Sequence, residues 1–288
     1  MKHEIQIQNP RFQRNPESHR GGAGSLLGFG IWALVFAAAA AEEPPLPEST
    51  AAQTLDEVQQ RASWLEIFHS AADCAEYASS PSKCLKADHW TYRMGEETFA
   101  LAEPPAGATG YVPLSEGFTK HIAALGKQTD DPERPGLSTT EIILYTHKQT
   151  PARLLVDGFI TSAMAGRVWR LYVACSTGLL PLTLPIDRGV MPAVPREGTA
   201  LEVRVAIFLD PATKGTRYQV EKDAAPTSEE LEKALKKSYD HLKERFPSVS
   251  FPLILEAAPT APFQAIVDVV TTARAIGYEK VQLAVPGR

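Results

Sequence analysis

Residues 253–277 read LILEAAPTAPFQAIVDVVTTARAIG, and residues 142–166 read IILYTHKQTPARLLVDGFITSAMAG. Laid on one another without gaps, they pair Ile143 with Ile254, Leu144 with Leu255, Pro151 with Pro262, Val156 with Val267, Asp157 with Asp268, Thr161 with Thr272 and Gly166 with Gly277. Each segment opens with a branched apolar run of strand length and, after a loop, continues with apolar side chains at helical spacing, in the later segment Phe263, Ile266, Val267 and Val270. Proline suits a helix start because the N–H it lacks is unpaired there anyway, and glycine suits a helix end because it adopts the left-handed conformation without strain. With one extra residue in the earlier segment, residues 171–174 fall on residues 281–284 as a final strand. The order strand, loop, Pro-led helix, Gly cap, strand therefore occurs twice, and an internal repeat is expected. Helices share Pro starts and Gly ends by chance; the match of Asp157 with Asp268 after a common Val is harder to explain that way.

Working outward, residues 201–209 alternate with period two as a strand, Leu201, Val203, Val205, Ile207 and Leu209 on one face. Thr227 and Glu230 form a capping-box pattern ahead of Leu231, Ala234, Leu235, Leu242 and Phe246, one face of a helix that Pro247 ends. Its charges Glu229, Lys233, Lys236, Lys237 and Glu244 read as a solvated face. Residues 249–256 form a second strand run in which Pro252 predicts an edge position or a bulge. In the earlier copy, residues 115–126 are expected to supply the preceding helix. Asp157 and Asp268 read as first-turn acids that complement a helix dipole.

The 288 residues are 44% hydrophobic and 22% charged, ordinary for folded domains, and the net charge of -5 gives no broad positive field for nucleic acid. Residues 21–41, GGAGSLLGFGIWALVFAAAAA, carry no charge, follow Lys2, Arg11, Arg14 and Arg20, and precede Glu42 and Glu43. This positive-inside arrangement predicts a cytoplasmic N-terminal segment (1–20), a transmembrane anchor or signal segment (21–41), a Pro-rich linker (42–54) and two exported folded units (55–188 and 196–288). The run of alanines, residues 37–41, leaves signal cleavage open as the alternative to an anchor.

Export bears on the cysteines. Cys74 and Cys84 bracket a short polar loop, and in an oxidising compartment a disulfide between them is the expected state. With His69 and His89 they also form a symmetric His-x4-Cys-x9-Cys-x4-His set able to supply four zinc ligands, although its spacing matches no familiar zinc pattern. Unpaired core thiols are the third reading. Cys175 follows an apolar run and reads as a buried structural thiol. Signatures of serine hydrolases, zinc proteases, P-loops, dinucleotide sites and Cys-x-x-Cys redox sites are missing. No catalytic residue, cofactor or resident metal is therefore expected, and His121 and His241 read as solvated helix histidines.

The pattern LILEAAPTAPFQAIVDVVTTARAIGYEKVQLAV resembles the end of the periplasmic domain in the ExbD/TolR family of biopolymer transport proteins. The resemblance covers the last part of the chain and, through the repeat, residues 142–175. It implies a mixed α/β fold of two tandem ExbD/TolR-like units of mixed sheet with packed helices, after a single N-terminal hydrophobic helix. It also implies a non-enzymatic inner-membrane component with a periplasmic domain, a binding and force-coupling module working beside a proton-channel membrane protein of ExbB/TolQ type and envelope components, and a homo-oligomer. Two features depart from the family. The aspartate its membrane helix carries on the proton path has no counterpart in residues 21–41, and the Asp before the Pro-led helix is replaced by Ala258 and by His147. A secreted periplasmic binding protein released by signal cleavage is the alternative, and a hydrolase with a dispersed site a more remote one.

Overall fold

The computed structural model describes residues 45–71, 74–79, 81–101, 115–132, 135–182, 186–187, 191–192, 202–210 and 215–284. The hydrophobic segment 21–41 lies outside the described residues, among which no helix is long and apolar enough to cross a membrane.

The first unit begins with a short helix, α1 (Asp56–Arg61), and contains β1 (Ser63–His69), α2 (Ala75–Ser79), β2 (Trp90–Met94), β3 (Glu97–Ala100), α3 (Glu116–Gln128), β4 (Ser138–Thr146), α4 (Ala152–Gly166), β5 (Val168–Cys175) and β6 (Gly178–Leu182). Its sheet runs β3-β2-β1-β4-β5-β6, with β4 parallel to both β1 and β5 and the outer pairings antiparallel. A two-stranded ribbon, β7 (Ile186–Asp187) and β8 (Met191–Pro192), follows. The second unit holds β9 (Val203–Leu209), β10 (Thr216–Val220), β11 (Asp223–Ala225), α5 (Ser228–Arg245), β12 (Pro252–Ala257), α6 (Phe263–Ile276) and β13 (Lys280–Leu283). Its sheet runs β11-β10-β9-β12-β13, with β12 parallel to both neighbours, as β4 is in the first unit, and the hairpins antiparallel. Both units thus pass through three hairpin-paired strands, a helix, a strand parallel to the first, a second helix and a further parallel strand. The first unit differs in its extra edge strand β6 and in a long β1–β2 connection, residues 70–89, where β9 and β10 are joined by residues 210–215.

Local chemistry explains most of these elements. Thr227 and Glu230 make the expected capping box, and Ser115 caps α3 by accepting from the Phe118 N–H. Ile142, Ile143 and Leu144 are fully buried, as a strand covered on both faces requires. Two expectations are corrected. Pro252 lies neither on an edge strand nor at a bulge: it is the first residue of β12, a central strand, where its missing N–H costs the ladder least. Gly277 caps α6 at φ 118, but Gly166 is still helical, and Arg167 takes the left-handed position at φ 56. Gly166 serves packing instead, because a Cβ on it would stand 2.4 Å from Ile122 Cγ2 of α3, and a Cβ on the facing Gly126 would stand 2.0 Å from the Gly166 carbonyl oxygen. The extra residue of the earlier copy, Arg167, donates to the Asp130 carboxylate and the Gly126 carbonyl.

One apolar cluster runs through both units, joining Leu144, Leu154 and Phe159 to Ile207, Phe263 and Val270. A smaller cluster of Val58, Ile143, Ala174 and Leu179 carries α1 with Leu55 and Trp64 packed against it. The described part of the Pro-rich linker is bound to the fold rather than held away from it. Gln53 bridges Leu179 on β6, Ser176 N–H donates to the Pro47 carbonyl and Lys148 N–H to that of Pro45. On the second unit, Gln264 exchanges hydrogen bonds with the Glu48 backbone, and the hydroxyls of Ser49 and Thr271 are 2.6 Å apart.

Candidate functional site

The loops ahead of α4 and α6 meet each other. Pro151 and Pro262 form an antiparallel bridge in which Ala152 N–H donates to the Ala261 carbonyl (2.8 Å) and Phe263 N–H to the Thr150 carbonyl (2.9 Å). Outside this pair, Arg153 N–H donates to the Pro259 carbonyl (3.2 Å) and Gln264 N–H to the Lys148 carbonyl (2.9 Å). The shift in numbering that carries Pro151 onto Pro262 carries each bond onto its mate, so the junction has a local two-fold. Proline has no N–H to give, and the flanking residues supply the donors on each side.

Behind the junction lie the two aspartates, and here the sequence reading is corrected. Neither α4 nor α6 has an acid in its first turn; Asp157 and Asp268 come one turn later and are largely buried, so burial rather than the helix dipole sets their character. Each is held by the residue four positions earlier, Asp157 by Arg153 Nε (3.3 Å) and Asp268 by Gln264 Nε2 (2.7 Å). Burial pushes the Asp157 carboxyl up to about 6 against the pull of Arg153. Burial also raises Asp268, with Gln264 opposing and Glu48 adding to the rise. Arg153 and Gln264 were not singled out from sequence, although they align. At the two places where the family carries its loop aspartate, Ala258 N–H donates to the Ile207 carbonyl, and His147 Nδ1 accepts from Gln149 N–H. Burial lowers the His147 pKa, with Lys148 adding to the fall.

The second cluster lies in the long β1–β2 connection. His69 ends β1, Cys74 immediately precedes α2, and His89 immediately precedes β2. The thiols expected to bridge stand unbonded with sulfurs 3.3 Å apart; His69 Nε2 is 3.6 Å and His89 Nδ1 3.5 Å from Cys84 Sγ. All four ligand atoms lie within 4.8 Å of one another. Packing fixes them: the His69 ring stacks on Tyr77 at 3.9 Å and meets Trp90 edge-on, while Trp90 Nε1 donates to the Cys84 carbonyl and Tyr77 N–H to Cys74 Sγ. Burial, with the Cys74 contact adding to it, raises the Cys84 thiol to about 11, and burial lowers His69, with His89 adding to the fall. Tyr77 and Trp90 escaped the sequence reading because stacking partners leave no fixed spacing.

The remaining candidates are dispersed. Cys175 is fully buried and raised to about 12 by burial, as a structural thiol should be. His241 is exposed. His121 is not fully solvated as expected: it pairs with Glu97 at 3.1 Å in a cleft lined by Trp64, Met94 and Leu125, with Phe99 against its ring.

The sequence model of the family described as Biopolymer transport protein ExbD/TolR matches residues 184–287, which take in the whole second unit. No curated protein and no solved structure matches. The family's members are non-enzymatic transport components, and it is residues 184–287 of this chain that are ExbD/TolR-like.

Proposed function

We propose that the chain is a non-enzymatic component of a biopolymer transport or envelope energy-transduction system. In it, two tandem ExbD/TolR-like units form one periplasmic module that binds envelope components and passes force to them. The observation that carries this reading is the shared strand order and pairing of the two units, together with the self-matching bonds of the Pro151–Pro262 junction. Only the second unit lies within the family match; the common topology supports extending the resemblance to the first. Residues 21–41 serve as the inner-membrane anchor, and copies of the chain associate beside a proton-channel partner of ExbB/TolQ type. Because that segment offers no carboxylate to bind and release protons, the proton path lies in the partner, and this chain is its periplasmic sensor.

Affinity isolation of the full chain from solubilised membranes tests the proposal. The expected result is co-isolation of a multi-span membrane protein in fixed proportion, with Met1 intact on the chain. Recovery in the soluble periplasmic fraction with an N-terminus near Glu42, and no membrane partner, would instead establish a secreted binding protein.

A further inference from the structure

We propose that His69, Cys74, Cys84 and His89 form a structural zinc site that closes the β1–β2 connection of the first unit. The inference stands independently of the transport role. With zinc–sulfur bonds of about 2.3 Å and zinc–nitrogen bonds of about 2.0–2.1 Å, a tetrahedral centre sets sulfur and nitrogen ligands about 3.5–3.6 Å apart and its two sulfurs about 3.8 Å apart. The Cys84 sulfur lies 3.6 Å from His69 Nε2, 3.5 Å from His89 Nδ1 and 3.3 Å from Cys74 Sγ. The sulfur separation falls far outside the roughly 2.05 Å of a disulfide. A disulfide would also leave unexplained why two imidazole nitrogens converge on the same sulfur.

The chemistry of the set selects the ion. Two thiols and two imidazoles in tetrahedral array suit zinc, and oxygen-seeking calcium or magnesium have no carboxylate in the set to bind. On binding, each cysteine gives up its thiol proton to solvent and each histidine bonds through a neutral ring nitrogen. Two thiolates then balance the dication, so the buried centre carries no net charge. The Tyr77 N–H already points at Cys74 Sγ, and Asp88 Oδ1 stands 3.9 Å from His89 Nε2, beyond hydrogen-bond distance but near enough to serve as an outer partner once the metal fixes the ring. With four protein ligands the centre has no open position, which makes its role structural rather than catalytic.

The site also supplies what its loop lacks. Among the described residues of 70–89 lie α2 and two short 3-10 turns, at Pro81–Lys83 and Ala87–His89, and no strand. A metal held by the last residue of β1, the residue before β2 and two cysteines between them ties both ends of this connection to its middle. Zinc and a Cys74–Cys84 disulfide exclude one another, so bound metal also keeps the two thiols reduced in an oxidising compartment.

Metal analysis of the full-length chain, isolated from the envelope without chelator, tests the site. One zinc per chain is expected. Exchange for cobalt should produce the absorption of a tetrahedral ion with thiolate charge-transfer bands. In the unmodified protein, Cys74 and Cys84 should resist alkylation until a chelator is added, whereas Cys175 should stay protected throughout. Cys84→Ser should weaken zinc binding by more than the about 10- to 100-fold typical of losing an outer-shell partner, and Asp88→Asn by no more than that range. A metal-free chain with Cys74 and Cys84 disulfide-bonded, or zinc content unchanged in the Cys74→Ser/Cys84→Ser double variant, would overturn the assignment. So would cysteines that alkylate equally with and without chelator, a readout that needs no variant to fold.

Discussion

Three glycines of α3 and α4 separate steric from conformational effects. Alanine is favoured over glycine in a helix interior by about 1 kcal/mol, so propensity alone predicts that Gly126→Ala, Gly158→Ala and Gly166→Ala all stabilise. The structure predicts different signs. A Cβ on Gly158 would meet Leu65 Cδ2 and Tyr92 Oη at 3.6 Å, ordinary contact, and this variant should gain about 0.5–1 kcal/mol. A Cβ on Gly126 would stand 2.0 Å from the Gly166 oxygen and 2.6 Å from its carbonyl carbon, both backbone atoms that no rotamer change removes. Restoring a carbon–oxygen contact of about 3.3 Å requires α3 and α4 to separate by more than about 1 Å where they cross. Overpacking of this kind costs about 1–3 kcal/mol or more, so Gly126→Ala should be the least stable of the series despite its better propensity. Gly166→Ala falls between, since its closest clash, 2.4 Å, is with the Ile122 side chain and the next, 3.0 Å, with the Ile122 carbonyl oxygen. Urea denaturation read by circular dichroism, compared at constant m-value, gives the order directly. A Gly126→Ala protein as stable as the parent would refute the close helix crossing from which the order is derived.

Burial raises Asp157 from its usual 3.8 to about 6, so the folded state holds a proton that the unfolded chain releases; its contribution to stability is full below about pH 3.8 and lost as pH rises through about 6. Asp157→Asn should therefore equal the parent near pH 4 and exceed it above pH 7 by up to about 3 kcal/mol in urea titrations, and a less stable variant at high pH would mean that the Arg153 pair outweighs desolvation. Thr227→Ala removes the side chain that accepts from Glu230 N–H and should cost about 1 kcal/mol in thermal unfolding. Gly178→Ala would place a Cβ 2.5 Å from the Gln53 oxygen at φ +144, so hydrogen exchange at Gln53 and Leu179 should accelerate while the rest of the first unit stays protected. Unchanged protection there would show that residues 45–53 do not depend on this contact.

The second unit was readable because its signals are local. Thr227 with Glu230, Pro262 and Gly277 mark helix ends through neighbouring backbone groups, and β9 alternates plainly. The first unit was harder. Glu66, buried in mid-strand on β1, makes sense only beside Arg93 on β2, a partner across the long connection. Pro252 shows a local rule that holds while its position is misjudged: the proline avoids the ladder by beginning the strand, not by lying on an edge. The aspartates were misplaced by a helical turn: each lies six residues after its proline, already beyond the first turn, and its burial depends on packing that sequence does not display. The His and Cys spacing was visible as a symmetric pattern, whereas its convergence depends on how residues 70–89 fold back. The Pro151–Pro262 contact had no sequence signal as a contact, since backbone atoms from distant loops make it.

The two-fold at that contact bears on inheritance. Where identical chains meet about an axis, one codon change alters both faces together, and any gain on one side is tied to its cost on the other. Here the opposing faces belong to different stretches of a single gene, so Arg153 and Gln264 occupy equivalent places with unlike charge. The connection after β1 is likewise free to lengthen and gather histidines and cysteines while only residues 210–215 join β9 to β10. Selection can adjust either half of such a pair while the other keeps its old task.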